Sequence, residues 1–292
     1  MMRIRIVRLL FFASSIVVML IPLSPMAQEG QTQNVEAAEH YNKGLQLTRT
    51  GKYTEAIAEF QASLKLDSTN VTTLYALGVA LKRNKEYDKA ISVYQKAVKI
   101  NPRYAEAHYA LGLIQQKKGD HTTAIESFGK AINSKPDYPE AFYSLGYSYL
   151  RQEKNEKAAD AFKRAIDLDS TYAIAHKNLG VALSNLEKNT EAIEAYKKAI
   201  KIEPKDGVAF YRLATAYNKI GNHVEAINAA NSCLMYKPNY APAHMQLGDA
   251  YKKLNQIDNA INEYKKAAKD AKYRKAAEYE VDLLENPDRY SQ

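Results

Sequence analysis

The side chains best suited to chemistry in this chain are its histidines. Four of them keep a fixed interval: His40, His108, His176 and His244 stand 68 residues apart. Imidazoles at constant spacing could be metal ligands or repeated acid–base groups. A shared ion fails on distance, because packed helices lie about 8–10 Å apart and this interval spans several of them. The four are therefore expected to be packing residues, with His121 and His223 at turns or on the surface. Cys233 is the only cysteine, which excludes an intramolecular disulfide and a thiolate cage. No phosphate-cradling glycine loop, two-histidine metal motif or nucleophile constellation is present. The expectation is a protein that is not an enzyme and takes no cofactor and no metal.

Composition narrows the alternatives. Of 292 residues, 46% are apolar and 25% charged, so the chain can bury a core over most of its length. The formal charge is +8, and Arg3, Arg5 and Arg8 supply three of those charges. The mild remainder suits acidic partners. It forms no basic stripe with a reading element, so no nucleic acid partner is expected.

The first residues read as a targeting segment. Three arginines precede the apolar run Leu9 to Leu23, and a small, then polar, stretch follows. The run is about 15 residues, shorter than the roughly 20 a spanning helix needs. Residues 1–27 are expected to be a cleavable signal peptide or, with Pro25 before Ala27 spoiling the cleavage site, an uncleaved anchor. Either way the rest of the chain is expected beyond a membrane, in a bacterial periplasm or secreted.

The elements that carry these residues form a repeat. Units begin at Ala37, Val71, Ala105, Pro139, Ala173, Gly207 and Ala241, each 34 residues long and without insertion. The eighth position is Gly44, Gly78, Gly112, Gly146, Gly180, Ala214 and Gly248. The twentieth is alanine in all seven, from Ala56 to Ala260. The twenty-fourth is aromatic (Phe60, Tyr94, Phe128, Phe162, Tyr196, Tyr264) except at Ala230. Proline fills position 32 at Pro102, Pro136, Pro204 and Pro238 and stops the second helix there. Apolar positions 4, 7, 8 and 11, then 17, 20, 21, 24, 27 and 28, give two helical stripes, A and B. Small residues at 8 and 20 are expected to face each other across the hairpin. Repeat six breaks the pattern at Ala214, Ala230 and Cys233, and Met235 and Tyr236 are expected to fill the space of the lost ring. The histidines occupy position 4 of alternate repeats, which suggests growth in two-repeat steps.

These columns resemble the tetratricopeptide repeat (TPR) family over residues 37–274. The family's usual Trp at position 4 is replaced by His, Phe or Leu. The resemblance implies an all-α fold, a right-handed superhelical solenoid of antiparallel helix pairs whose concave face is lined by helices A. Residues 28–36 would be a polar linker. Repeat seven lacks the inter-repeat turn, so Asp270 to Glu285 reads as a charged capping helix that starts inside the last repeat and continues into a cap and tail at 275–292, frayed after Pro287. Position 5 would put Tyr75, Tyr109, Tyr143 and Tyr211 on the inner wall, and position 13 would add Arg83, Lys117, Arg151, Lys219 and Lys253. The family's carboxylate clamp for chaperone tails is matched only at Asn178 and Arg212, with Tyr143, Tyr147 and Val208 in its other places. The resemblance thus implies a protein–protein interaction scaffold that binds a partner or extended peptide in the concave groove, and the basic row suits an acidic one. The alternative is a component of an envelope polysaccharide or protein export machine.

Overall fold

The structure, a computed structural model, describes residues 25–290. The arginines and the apolar run of the targeting segment lie outside the described residues. Helices A are α1 (Pro25–Arg49), α3 (Val71–Arg83), α5 (Ala105–Lys117), α7 (Pro139–Arg151), α9 (Ala173–Asn185), α11 (Gly207–Lys219) and α13 (Ala241–Lys253). Helices B are α2 (Tyr53–Leu66), α4 (Tyr87–Ile100), α6 (His121–Ser134), α8 (Asn155–Leu168), α10 (Asn189–Ile202), α12 (His223–Tyr236) and α14 (Ile257–Ala267). Six of the seven unit starts read from the sequence are the first residues of helices A. Each A packs on its own B, and each B packs on the next A. Helices A also touch their successors, α5 with α7, α7 with α9 and α11 with α13, whereas no comparable B-to-B pairing occurs among the described residues. The array therefore curves with helices A on the inside.

Every A-to-B turn has the same geometry. The residue at position 15 takes a positive φ in all seven: Gly51, Lys85, Gly119, Glu153, Glu187, Gly221 and Asn255. The amide one residue later bonds back across the helix end, as in Lys52 N to Leu47 O and Glu86 N to Leu81 O, both 2.9 Å. This is the left-handed helix termination that glycine accepts most easily. Asn255 tolerates it, and three of the seven turns, at Lys85, Glu153 and Glu187, hold it with a side chain that resists it.

The position-20 alanines are all fully buried. The glycines at position 8 lie first against a ring, and at Gly146 the carbonyl of the position-20 Ala158 is also within 3.2 Å of where a Cβ would stand. A Cβ added at Gly112 would lie 2.5 Å from the Phe128 ring, and each of the other five glycines in the column meets its own position-24 ring the same way. The glycine is the seat of the aromatic ring, since a buried ring is far bulkier than a facing alanine. In repeat six the ring is absent and so is the need for glycine: Ala214 and Ala230 are both fully buried. Met235 and Tyr236 do not fill this space. Met235 is 76% exposed, and Tyr236 stacks outside on Phe210 at 6.1 Å.

The histidines tie repeats together. Nε2 of His108 donates to the Pro102 carbonyl at 2.9 Å, that of His176 to Ser170 at 3.1 Å, and that of His244 to Pro238 at 3.3 Å. Each acceptor is position 32 of the preceding repeat, so the alternation in sequence is an alternation of clasps. At the two ends of the array the histidine meets a glutamate instead of, or as well as, a carbonyl. His40 Nδ1 lies 2.6 Å from Glu59, and His244 Nδ1 lies 2.6 Å from Glu263. Burial would raise the Glu263 carboxyl, but hydrogen bonds from His244 and Lys266 hold it below its ordinary range.

Both ends differ from the sequence reading. Residues 28–36 continue α1 rather than forming a linker. The stretch is rich in Gln and Glu and holds no proline, so only Gly30 opposes the helix. Repeat seven does turn before the cap. Lys272 N bonds the Asp270 carboxylate at 2.8 Å, and α15 (Arg274–Glu285) starts only afterwards. Ala277 of α15 is fully buried against the last repeat, where Tyr264 and Ala267 also lie. Pro287–Tyr290 forms a 3-10 turn tied back by Arg289 and Tyr290 to Asp282, at 2.9 and 2.5 Å, rather than a frayed end.

Candidate functional site: the inner wall of helices A

Helix periodicity sends positions 5, 9 and 13 of every helix A to the same face, and the inward curvature makes that face a groove. Its aromatic row is half-buried. Tyr75 packs on Tyr94 and Tyr104 at 5.8 and 5.5 Å, Tyr109 on Phe128 and Tyr138 at 5.7 and 4.9 Å, and Tyr143 on Phe162 and Tyr172 at 5.8 and 5.2 Å. Tyr211 has no position-24 ring beneath it and meets Tyr240 alone, at 5.4 Å. The second partner in each case is a tyrosine at position 34, a column the sequence reading passed over because it falls at the turn. Its signal, Tyr104, Tyr138, Tyr172 and Tyr240, was in plain view. Burial pushes the hydroxyls of Tyr75 and Tyr109 up, and that of Tyr143 up to about 12. These rings stay neutral and are only partly exposed.

Repeat five replaces the pair as a unit. Lys177 stands at position 5 and Asp206 at position 34, and they meet at 2.5 Å. Asp206 also accepts from Val208 N and Ala209 N, capping α11. Burial works to raise its carboxyl, and the bonds from Lys177 and the amides outweigh it, leaving the group below its usual range.

The basic row is exposed: Arg83, Lys117, Arg151, Lys219 and Lys253 all face solvent. Lys117 lies over the Tyr87 ring at 4.6 Å and donates to its hydroxyl. Burial, then repulsion from Arg83, pulls the neighbouring Lys82 ammonium down, with Lys117 adding to the effect. Positive charge is therefore crowded along this rim, and an anion would relieve it.

Asn178 and Arg212 are already engaged. Asn178 Nδ2 donates to the Tyr143 hydroxyl at 3.0 Å, and Arg212 lies over Tyr211 at 5.4 Å. Asn178 thereby serves the junction between helices α7 and α9, whereas the Arg212 contact stays within α11. Position 12 also bridges successive helices A: Gln116 donates to the Ser144 carbonyl at 3.1 Å and Asn218 to the Gln246 carbonyl at 2.9 Å. These amide staples fix the spacing of the wall before any ligand arrives.

The floor changes along the array. Position 9 is Leu45, Val79, Leu113, Tyr147 and Val181 in repeats one to five, all half-buried, and then Thr215 and Asp249. Between repeats six and seven the groove deepens into a pocket of about 410 Å³ lined by Asn218, Lys219, Gln246, Asp249 and Lys253. Burial raises the Asp249 carboxyl, while the Tyr264 hydroxyl donates to it at 2.8 Å. Lys219 and Lys253, separate points in the sequence reading, are thus brought to one cavity. The position-9 switch from apolar to polar was legible but unread. Among the described residues no three His, Cys, Asp or Glu side chains are grouped to hold a metal.

Comparison with known proteins gives a consistent picture. The family model described as the cilia and flagella-associated protein 70 C-terminal domain matches residues 22–283. Among solved structures, MamA is similar at 31% identity and a TM-score of 0.54, covering 56% of this chain and 96% of its own. YrrB, described as a TPR protein with an unusual peptide-binding site, is similar at 22% identity and a TM-score of 0.59, covering 63% and 95%. A tetratricopeptide repeat protein from Parabacteroides merdae covers 86% of this chain and 99% of its own at 16% identity and a TM-score of 0.59. No curated protein sequence matches.

Proposed function

The chain belongs to the tetratricopeptide repeat family, and on that premise we propose that it is a binding scaffold that holds an extended, acidic polypeptide along the inner wall of helices A. One observation carries the reading. A half-buried floor of tyrosine rings and aliphatic side chains runs through repeats one to four beside an exposed basic row. An extended chain alternates its side chains, so one set can lie on the apolar floor while carboxylates reach the rim. The rim charges are solvated, so they steer and orient the partner more than they add affinity. The chain acts beyond a membrane on this reading, released or tethered by its N-terminus. The arginines and apolar run of residues 3–23 support that placement.

The test uses a labelled peptide alternating Glu and Leu. Arg83→Glu, Lys117→Glu and Arg151→Glu together are expected to weaken binding about 10- to 100-fold, from three exposed charge contacts worth roughly 0.5–1 kcal/mol each. Helicity by circular dichroism should not change. Unaltered affinity in the folded triple variant would sink the rim assignment.

A further inference from the structure

Of the seven position-9 side chains on the groove floor, only Asp249 carries a charge. It is half-buried in the pocket between repeats six and seven, and its hydrogen-bond partners are neutral: the Tyr264 hydroxyl donates to it at 2.8 Å and the Gln246 amide at 3.3 Å. Lys252, on the same helix, is held by Glu280 of α15 at 2.6 Å. Lys219 and Lys253 stand exposed at the mouth and form no ion pair among the described residues. Burial raises the Asp249 carboxyl, Glu280 adds to that, and the Tyr264 bond with the charges of Lys252 and Lys253 offsets it only in part. A half-buried carboxylate with no cation bonded to it is costly, and a cation brought by a ligand recovers that cost. A carboxylate offers about four lone-pair sites, so Tyr264 and Gln246 leave room for such a donor.

We propose that this pocket seats the N-terminal ammonium of the bound polypeptide against Asp249, with an acidic first side chain reaching Lys219 and Lys253. A ligand bearing only negative charge would meet Asp249, and one bearing only positive charge would meet the two lysines. A first residue that carries both charges matches floor and mouth together, and capture of a terminal amine by converging acceptors is a recurring way to fix a peptide. The pocket takes this role if the groove holds a polypeptide, as proposed above, and it then sets the direction. The apolar floor runs through repeats one to four and α13 is the last helix A, so a chain lying along the wall reaches the pocket where the wall runs out. Its N-terminus sits at repeat seven and the rest runs towards repeat one. A lysine side chain offers the same ammonium, and the two sources are separable by blocking the terminus.

The experiment measures affinity of the full chain for the alternating Glu and Leu peptide, begun with Glu, amidated and labelled at its C-terminal end, with its N-terminus either free or acetylated. Acetylation is expected to weaken binding about 10- to 100-fold, the loss of hydrogen bonds between charged groups. Asp249→Asn keeps an acceptor for Tyr264 and should bring the free peptide down to the affinity of the acetylated one. Indifference to acetylation overturns the proposal, as does an Asp249→Asn variant that still tells the two peptides apart. An acetylated peptide that regains full affinity when one Leu is changed to Lys overturns the terminal assignment in favour of a side-chain ammonium. Arg83→Glu, Lys117→Glu and Arg151→Glu together should lower both affinities and keep their ratio. Loss of that ratio in the wild type alone therefore counts against the pocket, loss of the rim effect alone counts against the proposed function, and a free peptide that does not bind the wild type overturns both.

Discussion

Repeats three and six are built from the same 34-residue plan and solve one packing problem differently. In repeat three Gly112 leaves a seat that the Phe128 ring fills, with 2.5 Å between the ring and where a Cβ would be. In repeat six Ala214 occupies the seat and Ala230 replaces the ring, and both are fully buried. The hairpin survives in each, with α11 packed on α12 as α5 is on α6. The difference teaches that positions 8 and 24 are one joint. A large ring with no side chain opposite and two small side chains face to face are alternative fillings of the same space.

The sharpest way to break this comparison is a double-mutant cycle in repeat three. Phe128→Ala alone should cost about 3–5 kcal/mol, because the glycine seat becomes a cavity. Gly112→Ala alone should cost about 1–3 kcal/mol from overpacking against the ring. The two together rebuild the repeat-six joint, so the combined loss in chemical denaturation should fall well below the sum. Strict additivity would mean that the two positions do not share a space.

Smaller effects separate the tyrosines of the same column. The Tyr264 hydroxyl bonds Asp249 at 2.8 Å, whereas the buried Tyr94 hydroxyl finds no hydrogen-bond partner. Tyr264→Phe should therefore destabilise by about 1.5–3 kcal/mol, the range for a bond to a charged group, while Tyr94→Phe should be neutral or stabilising by up to about 1 kcal/mol. Thermal melts of the two variants moving in the same direction would contradict the assignment. The smallest effect belongs to the turns. Glu187 holds a φ of 60° where three sister repeats use glycine. Glu187→Gly should raise stability by about 0.5–1 kcal/mol by relieving that strain, read as a shift in denaturation midpoint.

The sequence made the units, the helix starts and the buried columns legible, because periodicity reports which side chains point inward. It did not say which inward side chains touch. The spacing pairs Gly112 with the alanine column and leaves out its nearest neighbour, the Phe128 ring, since the order of contacts depends on how two helices are rotated and offset. One clue was available: Ala214 and Ala230 change together in repeat six. Turn geometry was half visible, at Gly51, Gly119 and Gly221, and hidden where Lys85, Glu153, Glu187 and Asn255 take the same backbone shape. In the groove, the tyrosine and basic rows could be read from spacing. That the tyrosines are braced by position-34 rings, and that Lys219 and Lys253 meet Asp249 in one pocket, depends on contacts between turns and neighbouring repeats. Spacing within a repeat does not encode those.

The central claim is that the inner wall of helices A is the surface that holds a polypeptide. The most direct measurement places a photoreactive side chain at Leu113 on the groove floor or, separately, at Lys130 on the exposed face of α6 in the full chain, and irradiates it in the producing cell. The account predicts one discrete crosslinked polypeptide from Leu113 whose captured segment is extended and acidic, its yield lost when Arg83, Lys117 and Arg151 are changed to Glu. Equal capture at both positions, or capture at Leu113 that ignores the triple change, would contradict it.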